Sequence, residues 1–282
     1  MITRCIRSYF LPRTIAFVAL FCCLIFAEAS RANCTQAEEA VTLFTAFELE
    51  EAKCPTVKAE NHVGLQLNLS AFEEIRKYKY TELTVGLPFL NGKQLFLELE
   101  SFLPFSSDFR IGRTQSTGKF KEEQYLPQLL SYRIVSPGVR GTLVIMDDRV
   151  MGTLQWKGQQ YDISSLENGA NGKHVLFLLA DAKKPMEFEC GVDEARPLRR
   201  ATPMGMPPVT QAQSTSCVEI ALDIDFYTYE AFDSECYQAI EWALAIMAGV
   251  NTIYTNDLEN ALNIQASYIH VWETEDPYNS IA

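Results

Sequence analysis

The chain is poor in histidine. It has three in 282 residues, His62, His174 and His270, and none stands at the H-E-x-x-H spacing that turns two imidazoles toward one metal with a glutamate as base. G-x-S-x-G, the P-loop and the dinucleotide fingerprint are missing as well, which removes three further routes to a named chemistry. Each histidine reads as structural: His62 precedes a strand pattern, and His174 and His270 fall inside strand patterns. Basic residues are also in deficit, with 24 Lys and Arg against 36 Asp and Glu and a net charge of −12. That balance excludes a nucleic-acid partner, which needs clustered cations, and suits a soluble exported protein. The longest apolar run, Ile15 to Phe26, has twelve residues and falls short of the roughly 20 that span a bilayer. No internal repeat or low-complexity tract is present. What remains, 48% hydrophobic and 21% charged residues, is a globular composition.

Residues 1–32 read as a signal peptide. Arg4, Arg7 and Arg13 form a basic start, the apolar run follows, and Ala27-Glu-Ala29 and Ser30-Arg-Ala32 both fit a small-residue cleavage site. Cleavage removes four Arg and one Glu and leaves a net charge of −15. The alternative is an uncleaved anchor, and no other span is expected. Export places the chain outside the cell or in a periplasm, where cysteines pair. Of eight, Cys34, Cys54, Cys190, Cys217 and Cys236 survive cleavage, so one thiol is left over. Cys34 and Cys54 could staple their own region, and Cys217 and Cys236 are the other disulfide candidates. Asn33-Cys-Thr35 and Asn68-Leu-Ser70 are weak glycosylation sequons.

Residues 33–60 carry a helical composition. Beyond them the period becomes two: Val63, Leu65, Leu67 and Leu69, then Leu95, Leu97 and Leu99 after an Asn91-Gly92 turn. Residues 141–164 read as a β-meander with turns at Asp147-Asp148 and Lys157-Gly158, and His174 to Ala180 adds a strand. Residues 191–215, rich in proline and carrying Arg196-Pro-Leu-Arg-Arg200, read as an exposed linker. After it, Val218, Ile220, Leu222, Ile224 and Phe226 alternate with polar residues. A helix follows on the spacing of Phe232, Cys236, Ile240, Ala243, Met247, Val250 and Tyr254, and Ile264 to Trp272 returns as a strand. Strand–helix–strand of this kind implies parallel pairing.

In this order the residues resemble a secreted zinc metalloprotease of the adamalysin or reprolysin type. Val218-Glu-Ile-Ala-Leu-Asp-Ile-Asp-Phe226 is similar to that family's first catalytic-domain strand, Asn251-Thr-Ile-Tyr254 to the end of its first helix, and Trp272-Glu-Thr-Glu-Asp276 to the end of its second strand. Arg140-Gly141-Thr-Leu, Gly152-Thr-Leu, Tyr161-Asp-Ile-Ser-Ser-Leu166 and His174-Val-Leu-Phe177 look like its prodomain.

The resemblance implies an α+β chain: a β-rich antiparallel prodomain over 33–190, the linker over 191–215, and over 216–282 the strand–helix–strand opening of an α/β metzincin-like domain. It implies that Cys190, in Cys190-Gly-Val, holds the enzyme's zinc as a latency thiolate, with an ordinary disulfide as the alternative. It implies processing at Arg196, Arg199 and Arg200, a calcium role for Glu219, and zinc as the cofactor of peptide-bond hydrolysis. The partners would be protein substrates or a related protease. Because the zinc motif is missing, no catalytic residue can be named, and the 282-residue chain is expected to be inactive alone. The second reading is a binding protein that inhibits a related protease in trans through Cys190. A third is a β-rich adhesion module with no zinc connection.

Overall fold

The computed structural model describes residues 40–49, 61–166, 172–182 and 216–277, all within one compact unit that begins at Ala40. Thirteen strands are found there. The first eleven are β1 (Phe44–Phe47), β2 (His62–Leu67), β3 (Glu82–Phe89), β4 (Lys93–Phe102), β5 (Phe105–Thr114), β6 (Phe120–Gln124), β7 (Leu130–Ile134), β8 (Val139–Ile145), β9 (Val150–Trp156), β10 (Gln159–Ser165) and β11 (Lys173–Leu178). The last two, β12 (Ser216–Ile224) and β13 (Leu262–Trp272), flank helices α2 (Phe226–Ala231) and α3 (Cys236–Asp257). A shorter helix, α1 (Leu69–Tyr78), follows β2.

Nine strands form one antiparallel sheet in the order β1-β2-β11-β10-β9-β8-β7-β4-β3. It curls until its ends nearly meet: Val41 donates to Thr84 O at 2.7 Å and accepts from Gly86 N at 3.0 Å, which bridges the approach to β1 onto β3. Period two along each strand fills the barrel. Leu143 and Ile145, Leu154, Tyr161 and Ile163 point inward, whereas the residues between them point out. Phe72 and Ile75 of α1 add to this core, and Asn68 caps that helix by accepting from Ala71 N. The Asn68 amide also donates to Thr42 O at 3.0 Å, so the sequon side chain already has two structural partners.

The second sheet has the order β12-β13-β5-β6. β13 runs parallel to β12 on one side and to β5 on the other, and β6 pairs antiparallel with β5. Helix α3 lies between this sheet and the outer face of the barrel. Its buried positions, Ala239, Ile240, Ala243, Leu244, Met247, Ala248 and Asn251 among them, extend beyond one face because the helix is covered from both sides.

The expected architecture is corrected here. Residues 216–277 are not the detached opening of an α/β metzincin-like domain set after a β-rich antiparallel one. They complete their sheet with β5 and β6, drawn from residues 105–124, and the chain is mainly β, built round the nearly closed antiparallel sheet. The physical reason is the edge of β13. A central strand needs partners on both sides, and β5 supplies the second row of hydrogen bonds. Of residues 33–60, which carry a helical composition, the described stretch 40–49 contains strand β1, Phe44–Phe47, taken up by the rim of the barrel. The meander over 141–164 appears as β8, β9 and β10, and the Asn91-Gly92 turn between β3 and β4 has φ of 59° and 68°.

Candidate functional site

The region where the C-terminal segment meets the rest of the chain concentrates the unusual chemistry. β13 and β5 are in register from Tyr268 opposite Arg110 to Trp272 opposite Thr114. The ladder is extended by Ala266 N donating to Pro104 O at 2.9 Å and Glu273 N donating to Thr114 O at 3.0 Å. At its end Arg113 of β5 forms an ion pair with Glu273 and a second, at 3.5 Å, with Glu123 of β6. Lys121 donates to Glu123 and holds its carboxyl below the usual range, and Tyr237 OH donates to the same residue at 3.1 Å. Cys236, the first residue of α3, is buried beside this cluster. Burial pushes its thiol up to about 11, so it stays protonated and unreactive at neutral pH.

One turn further along α3, Glu241 is 5% exposed. Its Oε1 accepts from Tyr125 OH at 3.0 Å and from Gln128 N at 2.9 Å. Burial raises its pKa while these two bonds work the other way. Both donors come from the segment between β6 and β7, so the carboxyl fastens that segment to the helix.

The motif residues found in the sequence act as ties. Asn251, fully buried in α3, donates to Ile264 O at 2.6 Å and to Asn263 Oδ1 at 2.5 Å, and its Oδ1 accepts from Arg133 of β7 at 3.2 Å. One side chain thus joins helix, C-terminal strand and barrel. Trp272 Nε1 donates to Asp223 Oδ1 of β12 at 2.9 Å. Asp276 accepts from Phe226 N at 3.0 Å, and Asp225 caps α2 by accepting from Thr228 N at 2.7 Å.

His174 and His270 lie in different sheets. His174 is completely buried in β11, its Nε2 accepts from Val150 N at 3.0 Å, and its Nδ1 faces Gly172 O at 3.1 Å. The acceptor role at Nε2 puts the proton on Nδ1, and burial lowers the pKa, so the ring is neutral. His270 Nε2 lies 3.0 Å from Thr114 Oγ1, and its ring stacks on Phe120. His62 opens β2.

Cys217 is an exposed free thiol on β12 that donates to Gln265 Oε1 at 3.3 Å, and Cys236 is also free. Glu219 is exposed on the same edge strand. Cys34, Cys54, Cys190, Arg196, Arg199 and Arg200 lie outside the described residues. Among the described residues no three His, Cys, Asp or Glu side chains come together to hold a metal ion. The Arg113 cluster had no sequence signal as a site, since its members come from strands and a helix up to 160 residues apart.

No known protein family matches this sequence, and no curated protein does. Among solved structures, the crystal structure of metalloproteinase-II from Bacteroides fragilis superimposes with a TM-score of 0.32 at 10% sequence identity, over 70% of this chain and 55% of that one. The chain thus spans about half the length of that protein. At this score the likeness carries no argument about fold or function.

Proposed function

We propose that the chain is the non-catalytic, latency-type portion of a secreted zinc metalloendopeptidase precursor, acting by holding protease sequence rather than by cutting peptide bonds. The observation that supports this most is the β5–β13 pairing. It fastens the segment that resembles the start of a protease to the segment that resembles a prodomain, and the Arg113–Glu273 ion pair closes the end of the seam. A pro-segment holds its enzyme through such contacts, and cutting the connection releases or primes the partner. The residues gathered at the seam suit this holding role. Cys236 is a protonated thiol, Glu241 is committed to two donors, and Arg113 is neutralised by two carboxylates.

The proposal includes cleavage at Arg196, Arg199 or Arg200 and a Cys190 thiolate directed at the zinc of the protease it restrains. It also includes export and cleavage of residues 1–32. The test is inhibition in trans. Purified chain should slow a secreted zinc metalloendopeptidase acting on casein, and Cys190→Ala should abolish the effect. Chelator-sensitive hydrolysis of casein by the purified chain alone would overturn the non-catalytic assignment.

A further inference from the structure

The outer face of β8, β9 and β10 carries a regular grid of side chains. The register sets Arg140 beside Gln155 beside Gln160 in one row, and Thr142 beside Thr153 beside Asp162 in the next. Val144 and Met151 begin a third, apolar row. Helix α3 runs along one side, and between helix and grid lies a groove of two adjoining cavities of about 260 and 310 Å³ that share Thr142, Thr153, Gln160, Gly249 and Ile253. Gly249 sits mid-helix where a Cβ would meet nothing within 4 Å. Glycine there costs helix stability relative to alanine, and no packing requires it. Ile246 and Ile253, 44% and 55% exposed, stand on the helix side of the groove.

Three polar atoms lining this groove lack partners, although Gln160 Nε2 donates to Thr153 Oγ1 at 3.3 Å. Thr142 and Thr252 are each 2% exposed, and neither Oγ1 makes a hydrogen bond; Asp162 Oδ1 is likewise buried and unpartnered. Three such atoms in one place are unusual, since buried polar atoms are nearly always satisfied. Rotation about χ1 exchanges hydroxyl and methyl in a threonine, so either hydroxyl can turn to a ligand. Burial raises the Asp162 pKa, a hydrogen bond between its carboxyl and Thr153 works the other way, and a cation alongside would lower it further. At the far corner of the grid stands Arg140, exposed. Asp162 and Arg140 are two strands and one row apart, about 10 Å across and about 7 Å along the strands.

We infer that this groove binds a short zwitterionic peptide, a di- or tripeptide, with its ammonium at Asp162, its peptide groups at Thr142 and Thr252, and its carboxylate at Arg140. An extended peptide of two or three residues spans roughly 7–11 Å, close to the roughly 12 Å between the two backbone positions, and the Arg140 side chain is long enough to cover the difference. Gln155 and Gln160 present amides that match peptide groups, and Ile246 and Ile253 with Met151 offer an apolar wall for one side chain. Capture of a free peptide terminus by a fixed charge is a recurrent recognition mode. The two charges of opposite sign at opposite ends favour a zwitterion over a neutral polyhydroxylated ligand. This site does not depend on any link to a protease.

The test is calorimetric titration of the full chain with Ala-Leu, with N-acetyl-Ala-Leu, with the C-terminal amide and with glucose. Ala-Leu should bind with Kd of about 1 mM or tighter. Acetylation should weaken binding by about tenfold or more, the loss of a charge-assisted contact, and amidation should weaken it less, because Arg140 is the more exposed end. Asp162→Asn should remove the preference for the free amine, and Arg140→Gln the preference for the free carboxylate. Equal affinity for free and acetylated peptide, binding of glucose in place of peptide, or no heat with Ala-Leu at about ten times that concentration would each overturn the assignment. The peptide series on the unaltered chain decides the matter even if a variant fails to fold.

Discussion

Replacing Ile269 by alanine probes the joint between the C-terminal strand and the rest of the molecule. Ile269 is fully buried on β13 in the core shared by Phe105 and Ile111 of β5 and Ile240 and Leu244 of α3. The change removes three carbons, worth about 2.4 kcal/mol of transfer at roughly 0.8 kcal/mol each. The cavity term adds to this, because α3 is pinned between sheet and barrel and cannot settle inward. A total of about 3–4 kcal/mol follows, within the range for such substitutions. Urea denaturation followed by tryptophan fluorescence should show a lower midpoint at unchanged slope, since Trp242 and Trp272 lie near the site. Hydrogen exchange should locate the loss. Amides of β5 from Arg110 to Thr114 should open faster together with those of β13, whereas β10 in the barrel core stays protected. A loss below about 0.5 kcal/mol, or a β5 unmoved while β13 opens, would refute the shared core.

Four further outcomes follow from single residues. Glu241→Gln keeps both hydrogen bonds and removes the buried charge. Because the native carboxyl has a raised pKa, the folded state binds the extra proton and stability falls as pH rises above about 4.5; the variant should lose that slope and be equal or more stable at pH 7. His174 has the opposite sign. Its depressed pKa means that the unfolded state binds the proton first, so the chain should lose stability as pH falls below 6.5, and His174→Asn should flatten that limb in pH-dependent melts. Gly141 has φ of 147°, and a Cβ would run into Thr153 O and lie 2.8 Å from Leu154 Cα. Gly141→Ala should therefore break the β8–β9 pairing and cost about 3 kcal/mol or more by denaturation. Arg113→Met leaves Glu273, partly buried, without its cation and should cost about 1–3 kcal/mol, with Glu273→Gln in the same chain recovering part of it.

Local pattern made some elements legible and hid others. β8, β9 and β10 could be read because each is regular and joined by a short turn, so the signal lies within residues 139–165. α3 and its flanking strands could be read for the same reason. β5 could not. Its buried residues are irregularly spaced, with Phe105, Ser106, Phe109, Ile111 and Gly112 inward, because it serves two environments. β6, Phe-Lys-Glu-Glu-Gln, is almost wholly exposed and carries no apolar period. Helix α1 was hidden by Asn68, which reads as a sequon but acts as a cap. The parallel contact of β13 with β5 has no local trace at all, and missing it led to the expectation of a separate α/β unit. The motif residues Asn251, Trp272 and Asp276 were visible as a pattern, while their work as ties appears only from their partners.

Cutting the linker tests the account most directly. Limited proteolysis at Arg196 to Arg200 separates the polypeptide into two pieces, each contributing to the core that contains Ile111 and Ile269. If β5 and β13 hold the C-terminal segment as described, the cut chain should elute from size exclusion as one species containing both pieces, and separate only in denaturant. Elution of residues 216–282 apart from the barrel under native conditions would contradict it.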